Sequence, residues 1–502
     1  MNAWLLRIWV ILLCASIAAG PAYAAWREAS SEHFVVYANE NESTLRSFAE
    51  KLERYHAAMA YLMSPKQKAI SASNRVTVYV VDSQSTVQKL HNGKRSNVAG
   101  FYVPRAGGSV AIVSDIDWQS GANVSLSEQI LLHEYAHHFM HSNFGTTFPR
   151  WFTEGFAEFY STASFQKDGA VGLGLPNVMR GYDLATAVDV DIEDLLDSRA
   201  YVKNKTKYYD TFYAHSWLLF HYLMFDQDRR KGQLSKYIRA LLSGVPEAEA
   251  ARTVFGDLKL LNYEMNIYIN KTRMRYFKIT PDKINFKAVS VRELSAGHAA
   301  IMPIIIRSRR GVDAVQAAEV VAEARQIAAR FPDDPRVLAA LAEAEHDTDQ
   351  NDAAIAAADK ALAQDPKNMD ALIQRALSYY SKAQAGTVTW DQARAQLIRA
   401  NKLENDNPIP LIYYYRTYLE ERRKPPEVAV DGLEWASQLA PQDTGLKLTV
   451  AQQMIVDKRF DVARALLTPL TTNPHDDDLA GKARHMLDSI SEPVIAAPTA
   501  AQ

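Results

Sequence analysis

His133-Glu134-Tyr135-Ala136-His137 is the stretch that decides how the rest of this sequence is interpreted. Two histidines four positions apart lie on the same face of a helix, one turn from each other, so both imidazoles can reach one metal ion. Glu134 then lies beside that ion, where it can activate a bound water. Apolar Ile130–Leu132 precedes the stretch, as expected for a helix that packs on a core. The pattern predicts a metal site carried by a helix.

A second segment, Trp151-Phe152-Thr153-Glu154-Gly155-Phe156-Ala157-Glu158, follows the histidines. A catalytic zinc site needs a third protein ligand and an open fourth position for water. Glu154 comes 16 intervening residues after the second histidine, enough for the chain to turn at Phe148-Pro149 and return along another helix. Glu158 lies one helical turn further and can hydrogen-bond the outer nitrogen of a ligand imidazole, which fixes the orientation of the ring. We therefore predict a Zn²⁺ site.

Together these two segments resemble the gluzincin zinc metallopeptidases. In the branch similar to aminopeptidase N, a Glu-Gly-Phe-Ala segment after the HExxH helix supplies the third zinc ligand. The resemblance implies that His133, His137 and Glu154 bind the metal and that Glu134 is the general base. It also implies a zincin-like fold, in which a mixed sheet packs against helices.

The resemblance continues at Tyr213-Ala214-His215-Ser216-Trp217-Leu218-Leu219-Phe220-His221-Tyr222-Leu223. In the same branch, a tyrosine just before such an apolar helix donates a hydrogen bond to the tetrahedral oxyanion. This implies Tyr213 as a catalytic residue, with Tyr208 and Tyr209 as alternatives. These aromatic side chains can equally well serve only to pack helices, and the sequence leaves both interpretations open.

The segment upstream of the metal helix departs from the aminopeptidases. They carry a Gly-x-Met-Glu-Asn sequence that binds the free amino terminus of a substrate, whereas Gly107-Gly108-Ser109-Val110-Ala111-Ile112 stands here. We therefore expect a peptide hydrolase of endopeptidase type. The chain is more similar to the bacterial peptidase-MA-like proteins, which often carry helical repeats behind the metallopeptidase domain.

Four other side chains near these segments have alternative interpretations. His141 continues the face of the metal helix and can add a ligand or point into solvent. His138 points in another direction, and we expect it to be structural or to support the ligands from outside. His215 can help to bind substrate. Arg150 can bind a substrate carboxylate or form a structural salt bridge.

Length, charge and the first residues set the frame. A chain of 502 residues suggests about three folding units, and a net charge of −2 gives no sign of a nucleic-acid or anionic-membrane partner. Basic Met1–Arg7, apolar Ile8–Ala19 and Ala22-Tyr23-Ala24 are typical of a cleaved signal peptide. We expect a mature chain from Ala25, in the periplasm or secreted; a retained anchor is the alternative. Cys14, the only cysteine, would be removed with the leader, so disulfides are not expected.

Hydrophobic periodicity predicts an α+β N-terminal domain. Strands are expected at His33–Tyr37 and Arg75–Val81, with a helix at Ser43–Met63 between them. Gly100–Val103 and Ser109–Val113 are predicted to form a hairpin through the Gly107-Gly108 turn. The second of these strands is either an open edge to which an extended peptide can pair or a core strand.

An all-α solenoid is predicted behind this domain. Prolines recur at spacings of 31, 42, 33 and 33 residues, close to the tetratricopeptide period of about 34. Asp352–Pro366 resembles the second helix of such a repeat with its closing turn, and Gly386–Thr389 looks like a loop insertion. Four or five repeats would bury a continuous core and present a surface for a peptide or a partner protein. The recurring prolines are Pro335, Pro366, Pro408, Pro441 and Pro474.

The sequence thus predicts a signal peptide over 1–24, a metallopeptidase domain over 25–280, an extended connector over 281–312, helical repeats over 313–490 and a disordered tail over 491–502. The expected function is zinc-dependent peptide hydrolysis, with a peptide or protein substrate and a possible protein partner on the repeats. The alternative is a binding or scaffold protein that acts through its repeats and has no catalytic activity.

Overall fold

The computed structural model describes residues 25–63, 70–92, 98–114, 124–144, 148–206, 208–226, 228–471 and 477–490. The expected signal peptide, the expected tail and Pro474 lie outside this part of the chain. None of the helices it describes is long and apolar enough to cross a membrane. The fold is α+β, with a helical repeat region behind a mixed sheet.

A six-stranded mixed sheet forms the centre of the N-terminal part. β2 (Phe34–Ala38), β3 (Val76–Val81) and β5 (Val110–Ser114) follow one another in the sheet and run parallel, and the remaining pairings are antiparallel. The strands and the hairpin expected from the sequence are confirmed, each within one residue of its predicted ends. In spatial order the strands are β4 (Gly100–Val103), β5 (Val110–Ser114), β3 (Val76–Val81), β2 (Phe34–Ala38), β1 (Arg27–Ser30) and β9 (Ser290–Glu293).

The structure decides whether the strand before the metal helix is an edge strand or a core strand. β5 lies inside the sheet, paired with β3 on one side and β4 on the other, so the strand that precedes the metal helix is a core strand. β4 forms the edge instead. Hydrophobic alternation could not decide this, because both strands of a hairpin carry similar patterns and only long-range pairing with β3 distinguishes them.

Helices cover both faces of the sheet. On one face lie α1 (Glu42–Met63) and α3 (Leu126–Asn143), against alternate residues such as Val78 and Val113. On the other face lie α2 (Gln84–Asn92) and α12 (Ala296–Arg310), against Tyr79 and Ile112 among others. This alternation of partners follows from the two-residue period of a strand.

A helical subdomain with a small three-stranded sheet completes the N-terminal part. α4 (Arg150–Ser161) and α8 (Phe212–Phe225) pack closely along its centre, and α3 packs on α4. The helices are α4 (Arg150–Ser161), α5 (Val178–Thr186), α6 (Ile192–Leu195), α7 (Ser198–Asn204), α8 (Phe212–Phe225), α9 (Gln233–Leu242), α10 (Glu247–Phe255) and α11 (Leu258–Ile269). The strands are β6 (Ala163–Phe165), β7 (Val171–Leu173) and β8 (Phe277–Ile279).

The segment 281–312, expected to be an extended connector, has a different structure. It contributes β9 to the large sheet and then forms the helix α12. Pro303 lies inside this helix and deprives it of one backbone hydrogen bond. Burial of Ile301, Met302 and Ile304 outweighs that cost, because these side chains pack on the sheet or on the next helices. The first helix of the repeat region is therefore also a layer of the N-terminal fold.

Short connections join successive helices from α12 onward, and each helix packs on the next. The predicted repeat helix over Asp352–Pro366 is confirmed as α15, and its small residues Ala358 and Ala361 are fully buried. Pro335 and Pro408 begin helices, where a missing N–H costs little. The remaining helices are α13 (Ala314–Arg330), α14 (Pro335–Asp347), α15 (Asn351–Gln364), α16 (Met369–Gln384), α17 (Trp390–Leu403), α18 (Pro408–Glu420), α19 (Glu427–Leu439), α20 (Thr444–Val456), α21 (Phe460–Leu470) and α22 (Asp477–Ser489).

Candidate metal centre

The N-terminus of α3 is anchored to the helix beneath it. Ser125 and Glu128 form a reciprocal capping box, in which the Ser125 Oγ accepts from the Glu128 backbone nitrogen at 3.2 Å. The same Glu128 accepts a hydrogen bond from the buried Lys51 Nζ of α1 at 2.5 Å. One turn further, the Tyr55 hydroxyl donates to the backbone oxygen of Leu132. These contacts fix the position of the helix just before its histidines.

Three side chains from α3 and α4 converge in front of this helix. The Nε2 atoms of His133 and His137 are 3.1 Å apart, and each lies 3.5 Å from Oε2 of Glu154. In the described part of the chain, these three residues form a group whose donor atoms all lie within 4.8 Å of one another. The carboxylate of Glu154 is fully buried.

The geometry of this triangle fits a zinc ion. The point in its plane that is equidistant from all three atoms lies about 2.0 Å from each, close to the zinc–nitrogen and zinc–oxygen bond lengths of about 2.0–2.2 Å. Two imidazoles and a carboxylate are a donor set that zinc accepts in catalytic sites, and three protein ligands leave a fourth position for water. His133, His137 and Glu154 would therefore hold the ion.

The surroundings of the triangle are strongly negative. Burial alone would lower the pKa of His133, but the carboxylates of Glu154, Glu158 and Glu134 outweigh it and raise this pKa to about 9. An environment that favours a proton on an imidazole also favours a divalent cation bound to that imidazole, and the cation must displace the proton.

Glu158 lies behind His133, on the side away from the triangle. Its Oε1 is 3.4 Å from Nδ1 of His133, the outer nitrogen of that ring. Arg180 donates to Oε1 of the same carboxylate at 2.5 Å, and Asn177 donates to Oε2 at 3.0 Å. Only 2% of Glu158 is exposed. The structure thus brings Glu158 next to His133, and Arg180 of α5 and its capping residue Asn177 hold the carboxylate there.

Sequence reasoning missed Arg180 and Asn177. Asn177 caps α5 by accepting a hydrogen bond from the backbone nitrogen of Arg180, so one short helix start delivers both side chains to the buried carboxylate. An Asn before a helical segment is a recognisable cap. Nothing in the local pattern, however, indicates which carboxylate the capped helix will face.

The three candidate tyrosines have different surroundings, and Tyr213 is the one that lines the site. Tyr213 lines a cavity of about 370 Å³ together with His133 and Glu134. The charge of Glu154, and then burial, raise the pKa of Tyr213 well above its ordinary value, so its hydroxyl keeps a proton to donate. Tyr208 is 77% exposed. The hydroxyl of Tyr209 is hydrogen-bonded to Asp183 and Arg180 instead.

The other predicted side chains lie around the site. His141 lies one turn beyond His137, outside the triangle. It lines a second cavity, the cleft between α3 and the helical repeats. His138 is buried, and its Nδ1 is 2.9 Å from the hydroxyl of Tyr102. His215 is buried, with its Nδ1 2.9 Å from the hydroxyl of Thr211, and is not among the residues that line these cavities. The guanidinium of Arg150 lies over the rings of Tyr201 and Phe212, and the residue lines the cleft.

Two cavities meet at Glu134. The smaller one, on the side of His133, is lined by residues of α5 and by Tyr213. The larger one has a volume of about 640 Å³ and contains His137, the edge strand β4 and residues of the repeat region. Open space therefore extends to both sides of the residue that is predicted to act as general base.

Comparison with known proteins adds little to this description. No protein-family model matches the sequence, and no curated protein matches it. Among solved structures, the chain is similar to TTC0263, a tetratricopeptide-repeat protein of Thermus thermophilus, at 17% identity and a TM-score of 0.32, over 38% of this chain and 99% of that one. PilF of Pseudomonas aeruginosa matches at 17% identity and a TM-score of 0.31, over 39% of this chain and 92% of that one. MamA matches at 13% identity and a TM-score of 0.26, over 35% of this chain and 90% of that one. Similarity at this level says nothing about activity.

Proposed function

We propose that the protein is an exported zinc-dependent peptide hydrolase of endopeptidase type, related to the gluzincins. The observation that carries the proposal is the triangle of His133, His137 and Glu154, whose dimensions suit zinc with one position left open. Glu134 lies beside it, between two cavities. A site that is open on both sides can accept a chain that continues past the bond to be cleaved, as endopeptidase action requires.

A bound zinc ion would polarise the scissile carbonyl and lower the pKa of a water molecule to about 7. The carboxylate of Glu134 is the group that would accept a proton from the attacking water and pass it to the leaving amine. The protonated hydroxyl of Tyr213 donates to the developing oxyanion. Arg180 and Asn177 hold Glu158 against the outer nitrogen of His133, which keeps the inner nitrogen of that imidazole pointed towards His137 and Glu154.

The edge strand β4 supports a peptide substrate in particular. Gly100, Phe101 and Tyr102 line the cavity next to His137, and among the described strands β4 pairs with β5 on one side only. An extended peptide can add to such an edge by backbone hydrogen bonds. The open edge, which the sequence offered as one of two alternatives for β5, is thus formed by β4, its hairpin partner.

The test is hydrolysis of unfolded casein and of a fluorogenic peptide library by the zinc-loaded protein, beside Glu134→Ala. We expect measurable turnover by the wild-type protein. The variant should keep its zinc and lose hydrolysis, because it lacks the proton acceptor and retains all three ligands. Equal turnover in the two proteins would refute the role of Glu134. A zinc-loaded wild-type protein that cleaves nothing would favour the alternative of a binding or scaffold protein.

A further inference from the structure

The cleft beside the metal centre has two walls from different parts of the chain. One wall consists of α3 and β4, including His138, His141 and Tyr102. The other wall belongs to the helical repeats, more than 300 residues further along the sequence. It consists of Gln442–Gly445 at the start of α20, Pro469 and Leu470 at the end of α21, and Leu479 of α22. We call these residues the repeat wall.

Hydrogen bonds fix the repeat wall to the β4–β5 hairpin. Asp443 accepts from the backbone nitrogen of Ala106 in the hairpin turn at 2.9 Å, through its Oδ2. Its Oδ1 accepts from the backbone nitrogen of Leu446 and so caps α20. Gln442 donates to the backbone oxygen of Arg105 at 3.1 Å. One carboxylate therefore joins the helix that carries the wall to the hairpin that carries the edge strand.

Apolar packing reinforces this junction. Ala106 is buried in a cluster with Tyr415, Leu446 and other repeat residues. Gly107 adopts φ +77°, and a Cβ there would lie 2.6 Å from Cγ1 of Ile409, so the turn can approach α18 only without a side chain. The hairpin tip is thus an integral part of the repeat core, and the two walls are held at a set separation.

A second contact, away from the hairpin, holds the same two parts together. Glu404, at the end of α17, accepts hydrogen bonds from the backbone nitrogen of Ser73 at 2.9 Å and from its hydroxyl at 2.5 Å. Asn74 donates to the backbone oxygen of Asp406. Because separate sites connect the repeats to the sheet, the repeat wall cannot swing away from the metal centre by bending at one linker.

We propose that the repeat wall is part of the substrate-binding site, so that the repeats select what is cleaved as well as any partner. The inference rests on the proposed peptide hydrolase function. The cavity between the two walls has a volume of about 640 Å³, which holds a few residues of an extended chain but not a folded domain. The substrate is therefore an extended polypeptide segment. It pairs with β4 on one side and places apolar side chains against Pro469, Leu470 and Leu479 on the other.

Gly445 gives a direct test. It lies exposed in the first turn of α20, and a Cβ added there would meet only Asp443 Oδ1, at 3.4 Å. Gly445→Trp therefore adds a bulky side chain on the repeat side of the cleft, and it changes no residue of α3 or α4. We expect at least a tenfold loss of kcat/KM on a ten-residue fluorogenic peptide, mainly through KM, with unchanged zinc content. Thr444→Trp, on the same wall, should act in the same direction.

Gly432→Trp is the matched control, because it makes the same change in α19, outside the cleft, where the nearest atom to an added Cβ is 3.6 Å away. It should keep wild-type kinetics. If wild-type protein cleaves the peptide and both wall variants cleave it equally well, the inference is overturned while the proposed function stands. If zinc-loaded wild-type protein cleaves nothing, the proposed function falls and the inference falls with it.

Discussion

The inner nitrogens of His133 and His137 face each other at 3.1 Å. Such a distance between two ring nitrogens allows one hydrogen bond if one ring donates, but both rings also face Oε2 of Glu154 at 3.5 Å. A single cation between the three atoms satisfies all of them at once. The pair therefore links the helical spacing in the sequence to the metal site that we propose.

Removal of the Tyr213 hydroxyl should slow the chemical step. In Tyr213→Phe, kcat should fall by about 10²- to 10³-fold, the cost of one lost oxyanion donor, and KM should change little. The measurement is steady-state kinetics on the fluorogenic peptide, with zinc content determined in parallel. Tyr208→Phe, at an exposed position, is the control. An unchanged kcat in Tyr213→Phe would mean that this tyrosine only packs against its neighbours.

Arg180 should influence zinc without touching it. Arg180→Met removes the cation that holds Glu158 behind His133, so zinc affinity should fall by about 10- to 100-fold. Chelator competition measures this affinity. Asp183→Asn removes another partner of Arg180 and leaves the contact with Glu158 in place, so this variant should bind zinc more tightly than Arg180→Met. Wild-type affinity in Arg180→Met would exclude the orienting role.

Gly155 should be irreplaceable because α4 and α8 approach so closely there. A Cβ at this position would lie 2.4 Å from the backbone oxygen of Ser216, so Gly155→Ala must push the two helices apart. We expect a loss of about 1–3 kcal/mol in stability and weaker zinc binding, because the neighbouring Glu154 moves with α4. Thermal unfolding with and without zinc measures both effects.

Gly181→Ala in α5 is the control for this substitution, since an added Cβ there has no neighbour within 4 Å beyond the adjacent residues and the backbone of its own helix. Alanine is the better helix former, so this variant should be as stable as the wild-type protein or up to about 1 kcal/mol more stable. A Gly155→Ala protein that is equally stable and binds zinc normally would contradict the close packing described for these helices.

Buried neutral histidines should make the protein sensitive to acid. Burial lowers the pKa of His221 to about 4, and this ring is hydrogen-bonded to Tyr268 and to the backbone oxygen of Gly174. The unfolded chain binds a proton near pH 6.5 and the folded chain does not, so stability is full above that pH and declines as pH falls from about 6.5 towards 4.

The apparent melting temperature of the metal-free protein at pH 7.5 and pH 5.0 measures this decline. In His221→Gln, the difference between the two temperatures should be smaller than in the wild-type protein, because one titrating group is gone. An equal or larger difference would assign the acid sensitivity to other groups.

The sequence predicted the parts of the site that local geometry dictates. Helical spacing alone places His133 and His137 on one face, and a return helix of suitable distance brings Glu154 towards them. It could not supply Arg180, whose approach to Glu158 depends on how α5 packs. Nor could it supply the repeat wall, since nothing near Asp443 indicates that its carboxylate will meet the β4–β5 hairpin.

The fold, too, could be predicted where the local sequence pattern decides it and not where long-range packing does. The strands, the hairpin and the repeat helix α15 follow from hydrophobic period and turn residues. The helix α12 does not, because the alternation at Ile284, Phe286 and Ala288 indicated an extended chain, and only the tertiary burial of Ile301 and Met302 decides otherwise. Which strand of the hairpin forms the sheet edge was likewise set by a distant pairing, that of β5 with β3.

The most direct test of the proposed metal centre is the zinc content of the purified mature protein, measured by mass spectrometry beside His137→Ala. We expect about one zinc ion per chain in the wild-type protein, as a site of this type binds, and its loss in the variant, which lacks one of the three ligands. Absence of zinc from the wild-type protein even after reconstitution, or equal zinc in both proteins, would contradict it.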